Sequence, residues 1–300
     1  MSTAVSATGF VASSPIDRPS DPVAFYEEVA DDFVPWSSAG NMHFGYCADG
    51  MDILDREPQL ARMNLEVGRR LALNPDADVR IVDLGCGNGA TCRQLLKHNP
   101  GWHAVGLNIA PKQIDTARKL AREAGLNNRV TFLCENYTRT SFPTGRFDGA
   151  LAIESSCYGQ GLNKNDFLRE AKRLLHPGAR LVVADAFFHD GRALPPLIDT
   201  CHQQICENWA FDTLAQKPAV EKALRELGFV DIRFEDISIN VLPSTLHIPR
   251  VTGRFILSLL AQPGLATPLR RGHALAPLFA MMLALARNRL GYYLLSATRG

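Results

Sequence analysis

Three observations along the 300 residues predict an α/β fold built on a doubly wound, parallel sheet. First, short apolar runs alternate with stretches of helical periodicity from residue 79 to residue 187. Second, the helix ends carry their own punctuation: Pro111 opens one at its first turn, Gly125 closes it, and His176-Pro177-Gly178 ends another. Third, the apolar run Val79-Arg-Ile-Val-Asp-Leu84 leads into Gly85, Gly87 and Gly89, and Thr91-Cys-Arg-Gln-Leu-Leu-Lys97 follows as a helix. That is a buried strand entering a turn where a ligand lies against bare backbone, because a Cβ would block the left-handed dihedrals and the close approach. The helix N-terminus points at the same crevice, so a nucleotide-like ligand is the expected occupant.

The elements follow in order. Residues 1–20 are rich in Ser, Ala and Thr, lack a basic segment followed by an apolar core, and read as a disordered tail. Residues 22–34 read as a helix, and the loop after it carries Trp36 and His43-Phe-Gly-Tyr46. A longer helix over 55–73 has Leu60, Met63, Leu65, Val67 and Leu71 on its apolar side, and Asn74-Pro75 stops it. Strands at 79–84, 103–108, 129–134, 147–153 and 180–187 alternate with helices at 90–97, 111–124 and 163–175. A helix at 219–227 ended by Gly228, a strand at 230–240, apolar helices at 251–261 and 271–288, and a last strand at 292–298 complete the chain. The expected organisation is a single domain over 21–300. It has a helical cap (21–75), a cofactor-binding core (79–190), and a region at 191–300 that supplies a helical lid and the final strands.

Composition narrows the partners. Lys plus Arg number 32 against 31 Asp plus Glu, so no global field attracts nucleic acid. The seven cysteines at 47, 86, 92, 134, 157, 201 and 206 form no CxxC pair. Cys201-His202 and Cys206-Glu207, at helical spacing, read as partly buried side chains, and no metal site is expected. Reduced thiols suit a cytoplasmic protein. The longest apolar stretch, 274–286, contains Pro277 and is too short to span a bilayer.

Gly85-x-Gly87-x-x-Ala90 also fits the loose dinucleotide fingerprint, so spacing alone leaves a nicotinamide dehydrogenase open. Three features tip the balance. Asp83 sits where a carboxylate can meet an ammonium group, which nicotinamide dinucleotides lack and S-adenosylmethionine carries. The strand ending in Asn108-Ile109 stops where a ribose-binding group belongs, and the strand Phe147–Ile153 ends at Glu154. Together these residues resemble the class I S-adenosylmethionine-dependent methyltransferases, most specifically from Val79 to Phe188. The resemblance implies a Rossmann-like sheet, S-adenosylmethionine as cofactor, and methyl transfer.

Most members end the second strand in Asp or Glu. Gly106-Leu-Asn-Ile-Ala-Pro-Lys-Gln113 instead resembles the subset acting on sterols, prenyl diphosphates, tocopherols and fatty acyl chains. Asn108 would hold a ribose without charge assistance, with Gln113 as second contact. Cys134-Glu-Asn-Tyr137 falls where the adenine is usually met. There Glu135, Asn136 and Tyr137 are either contacts or a solvated loop.

For the reaction itself, Ile153-Glu-Ser-Ser-Cys-Tyr158 resembles the corresponding segments of sterol and prenyl diphosphate C-methyltransferases. The likeness implies that Glu154 stabilises positive charge or accepts a proton, and that Tyr158 is a base or cation–π partner; the plain alternative is packing beside the cofactor. The cap pattern Tyr26, Trp36, His43-Phe-Gly-Tyr46 resembles that of many small-molecule methyltransferases, although no glycine follows Trp36. It implies that Tyr26 and Tyr46 close over the methyl donor, with His43 either a base or structural. Arg250, Arg254, Arg270, Arg271, Arg287 and Arg289 flank an apolar lid. They either meet a diphosphate or membrane phosphates, or are the solvated ends of core helices. The expected acceptor is a small apolar metabolite, at a carbon of an isoprenoid, sterol-like or lipid molecule. The alternative is the nitrogen or oxygen of an amine or phenol. Peripheral membrane contact, Mg²⁺ for a diphosphate, and a monomer or homo-oligomer all stay open at this stage.

Overall fold

Five parallel strands form the centre of the sheet, each an apolar run whose alternate residues face opposite sides. The computed structural model describes residues 21–300, so the expected tail over 1–20 lies outside it. Helices α1 (Pro22–Val29) and α2 (Arg56–Arg70) precede the alternating part; α2 packs on the sheet face through Met63 and Val67, so it is a core helix and not part of a cap. In the alternating part β1 (Val79–Leu84), α3 (Ala90–His98), β2 (Trp102–Asn108), α4 (Pro111–Glu123) and β3 (Val130–Cys134) build one half. Then β4 (Phe147–Ile153), α5 (Asn165–Leu174) and β5 (Leu175–Phe188) build the other. The order β3-β2-β1-β4-β5 reverses between β1 and β4, which opens a crevice at the carboxyl ends of those two strands.

Period-2 alternation divides the core. Ile81, Leu151, Val182 and Ala184 join Met63 and Val67 of α2 and Leu95 of α3 on one face. Val82, Ala150, Ala152, Leu181 and Val183 join Phe167 and Leu168 of α5 on the other.

The last third departs most from expectation. After α6 (Pro196–Asn208), a helix the sequence reading did not assign, come β6 (Ala215–Gln216), α7 (Lys217–Glu226) and β7 (Phe229–Asp236). The expected strand over 230–240 stops at Asp236, whose side chain accepts from the Ser238 amide, and α8 (Ser238–Thr245) takes over. Then α9 (Ile248–Ala261) and α10 (Pro268–Leu285) occupy the segment expected to be a lid, and β8 (Leu290–Arg299) is the last strand. The sheet is not wholly parallel: β8 inserts antiparallel between β5 and β7. The first expected helix also ends early, with a 3₁₀ segment over Ala30–Trp36. Among the described residues no helix is long and apolar enough to cross a membrane.

Gly89 shows what the third glycine of the turn does. It caps α3 with φ +71°, and a Cβ there would lie 2.5 Å from the Phe132 ring and 3.0 Å from Ala117. Its role is the close approach of helix and sheet, and it does not line the crevice. Gly89→Ala is expected to cost ~1–3 kcal/mol of stability, read as a lower denaturant midpoint, through left-handed strain and overpacking.

Candidate functional site

The crevice continues under the cap and lid as a cavity of about 410 Å³. At its floor Asp83, next to the last residue of β1, is 2% exposed and among the described residues is bonded only by the Cys92 thiol, Sγ to Oδ2 3.4 Å. No cation pairs with it among the described residues, and burial pushes its carboxyl up to about 7. A buried carboxylate without a partner is costly, so its place on a cavity wall fits a cationic ligand group. Gly85 and Gly87 line the cavity with φ of +109° and +49°. At Gly85 a Cβ would lie 2.3 Å from that of Ser155, which closes the turn against the end of β4.

At the end of β2, Asn108 Nδ2 donates to Gln113 Oε1 at 2.7 Å, and both side chains are buried on the cavity wall beside Ile109. The amide pair leaves Asn108 Oδ1 for a hydroxyl. The ammonium, ribose and nucleoside parts of S-adenosylmethionine therefore find fitting groups in Asp83, Asn108 and the bare backbone of the turn. Of the segment after β3, Asn136 and Tyr137 line the cavity, and Tyr137 donates to the Ser155 carbonyl. Glu135 does not line it. Its carboxylate instead accepts from the amide and hydroxyl of Ser141, which corrects its assignment to the adenine.

Glu154, next to Ile153 on the cavity wall, stands in the left-handed region at φ +49°. Its Oε1 accepts from the Phe44 amide at 2.7 Å and from Tyr292 Oη at 2.8 Å. Among the described residues its Oε2 has no hydrogen bond. Burial holds the carboxyl up at about 8, against the opposing pull of those two donors. The cap is thus tied by backbone to the end of β4.

Three reaction-site expectations need correction. His43 lines the cavity, but Nδ1 lies 2.8 Å from the Phe44 carbonyl and Nε2 3.0 Å from Asn64 Oδ1. Burial pushes its imidazole down to about 4. The neutral ring has one N–H to donate to one of these two oxygens, and with both nitrogens turned to Phe44 and Asn64, His43 braces the cap; Asn64 also bonds Asn41, Thr91 and Gln94. Tyr158 donates to the Trp209 carbonyl at 2.8 Å and therefore accepts from Tyr26, whose hydroxyl is 2.7 Å away. Burial raises both phenols, so this chain latches α1 to the core and neither is poised as a base. Tyr46 lies off the cavity, against the α2 side of the core, and does not close over a donor. The chain is held on α2 at this point: a Cβ on Gly45 would meet Gln59 at 2.6 Å, and the Tyr46 amide donates to the Gln59 carbonyl at 2.8 Å.

The sequence reading missed other residues. Tyr292 reaches Glu154 from the last strand, and Lys164 lies buried, donating to the Cys157, Gly159 and Thr213 carbonyls. His273 of α10 stands among Phe25, Phe33 and Phe255, its ring centre 5.0 Å from that of Phe33. Trp36 Nε1, Thr252 Oγ1 and His273 Nδ1 are buried without hydrogen-bond partners among the described residues, each on a residue that lines the cavity. A lone Lys or His in an unremarked segment gives no signal in one sequence.

Residues 81–178 match a methyltransferase-domain family model. The O-methyltransferase resE of Aspergillus sclerotiorum is 31% identical over 205 residues, covering 68% of this chain and 74% of that protein. The O-methyltransferase cnsE of Penicillium expansum is 28% identical over 281 residues, 94% of this chain and 93% of its own length. Among solved structures, geranyl diphosphate C-methyltransferase from Streptomyces coelicolor superposes with a TM-score of 0.64 at 18% identity. That match covers 86% of this chain and 91% of the other.

Proposed function

This chain belongs to the class I S-adenosylmethionine-dependent methyltransferases, and we propose that it methylates a carbon of a small, largely apolar acceptor of isoprenoid, sterol-like or other lipid character. The observation that carries the reading is Glu154: a carboxyl held by one oxygen at the end of β4, on the wall of the same cavity as Asp83. S-adenosylmethionine, when bound, supplies an electrophilic methyl group on a sulfonium. Asp83 binds the ammonium, and Asn108 with Gln113 holds the ribose. The cap, latched through Tyr26–Tyr158–Trp209, excludes water. An alkene that takes a methyl group becomes a carbocation. Cavity-lining rings of Phe33, Trp36 and Phe255 stabilise such a cation by up to ~2 kcal/mol each. The ionised Glu154 stabilises it further and takes the proton whose loss restores a neutral product.

A second reading rests on a separate observation. The unpartnered Trp36 Nε1, Thr252 Oγ1 and His273 Nδ1 suit an acceptor carrying a hydroxyl or amine, and the fungal relatives are named O-methyltransferases. The deciding experiment offers labelled S-adenosylmethionine with alkene, phenol and amine panels and locates the label in the product. We expect label on carbon; label found only on oxygen or nitrogen would replace the first reading with the second.

A further inference from the structure

The surface of the lid has a composition unlike the rest of the chain. From Ser238 to Gly300 there is no Asp or Glu and no Lys, but seven arginines; all 31 acidic residues precede it. The exposed stripe of α9 runs Arg250, Arg254, Leu257, Leu260, and that of α10 runs Arg271, Leu275, Met282, Leu285, at helical spacing. Leu257, Leu260 and Leu285 are 66%, 70% and 71% exposed. A solvated helix face is ordinarily mixed in charge and poor in leucine. Arg270 is neutralised by Asp32, and Thr267 bonds Glu28, so the acids of the cap meet the base of α10 and not these stripes. Arg250, Arg254, Arg271 and Arg287 form no ion pair among the described residues.

We propose that this lid face docks on a lipid surface carrying anionic headgroups. Leucines enter the headgroup boundary while the unpaired arginines meet phosphates, the usual division of labour on an interfacial helix. Charge complementarity selects this occupant over a second copy of the chain, since an isologous contact would bring two acid-free arginine faces together. The position has a use: Val251 and Phe255 of α9 and Pro277 and Ala280 of α10 line the cavity from the inner side, and the exposed Arg287 lies on its wall. An apolar acceptor would pass from the bilayer to the cavity without crossing water.

The test is co-sedimentation of the full chain with vesicles, independent of any methyl transfer. Binding to phosphatidylcholine vesicles containing phosphatidylglycerol is expected, with little binding to phosphatidylcholine alone and release by high salt. Leu257→Glu with Leu260→Glu, and separately Arg250→Glu with Arg254→Glu, should each weaken partition at least about tenfold. Unaltered melting and S-adenosylhomocysteine binding in both variants would show the fold intact. Absence of binding to the anionic vesicles, or variants that bind like the parent, would overturn the proposal. So would concentration-dependent self-association abolished by the same substitutions, which would assign the face to a second copy.

Discussion

Replacing Asp83 by Asn should weaken S-adenosylhomocysteine binding at least about a hundredfold while making the ligand-free protein more stable above neutral pH. Both effects come from one fact: the carboxyl is buried, is bonded among the described residues only by a thiol, and is pushed up by that burial to about 7 from an ordinary 3.8. In the unfolded chain it ionises near its ordinary value, so the folded state holds an extra proton between about pH 4 and 7. The associated stability is complete below the unfolded value and is lost as pH rises through the folded one, ~4 kcal/mol in all by linkage. Asn carries no such dependence. Melting curves without ligand should coincide for the two proteins near about pH 4 and diverge in favour of Asn by about pH 8. Calorimetry at the higher pH should show the parent binding S-adenosylhomocysteine and the variant failing to. A variant that binds like the parent would remove Asp83 from the ammonium site.

Strands β1 to β5 were legible because each is a bounded apolar run, and all but the β3–β4 connection pass through a helix of clear periodicity. Burial of both faces leaves a pattern that local residues reveal. The position of β8 was not, since nothing local in Tyr292–Thr298 says that its neighbours are β5 and β7. The strand over 230–240 looked continuous because Ile237, Ile239 and Val241 keep an apolar alternation that equally fits the turn into α8. Asp83, Asn108 and Glu154 were legible for another reason: each stands within one residue of a strand's end, and strand ends at the reversal of a doubly wound sheet converge on one crevice. Side chains that act through distant partners were opaque. Tyr292 and Tyr293 look alike in sequence, yet one bonds Glu154 and the other bonds His189 on the opposite face. His43 looked like a base because a sequence shows a titratable ring but not the Phe44 carbonyl and Asn64 amide that occupy it. Gly89 was read as a ligand contact because alternation with Gly85 and Gly87 cannot separate backbone approach to a ligand from approach to Phe132.

Glu154→Gln is expected to lower kcat by about a hundredfold to a thousandfold and to change S-adenosylhomocysteine affinity by less than about threefold. Gln keeps the shape and can still accept from the Phe44 amide and Tyr292 through its carbonyl, so the cap stays tied down; what it loses is the charge and the proton-accepting oxygen. The pH profile gives an independent readout. In the ligand-free enzyme the carboxyl is held up at about 8, so kcat/KM should rise with pH through that region as the carboxylate forms. The corresponding limb in kcat should fall at lower pH, because a sulfonium nearby favours the ionised form. In the Gln variant the limb in kcat should disappear, and that in kcat/KM should fall back to the one set by Asp83 near pH 7. Tyr158→Phe is the contrast. Its hydroxyl proton is committed to the Trp209 carbonyl and its oxygen to Tyr26, so removing it loosens a latch without removing a base. A loss in kcat within about fivefold and a lower melting temperature are expected there. A Tyr158→Phe enzyme as impaired as Glu154→Gln would place proton transfer on the phenol. An undiminished Gln enzyme would mean that Glu154 only anchors the cap, and that the cation or proton is met elsewhere in the cavity, with His273 Nδ1 the next group to replace.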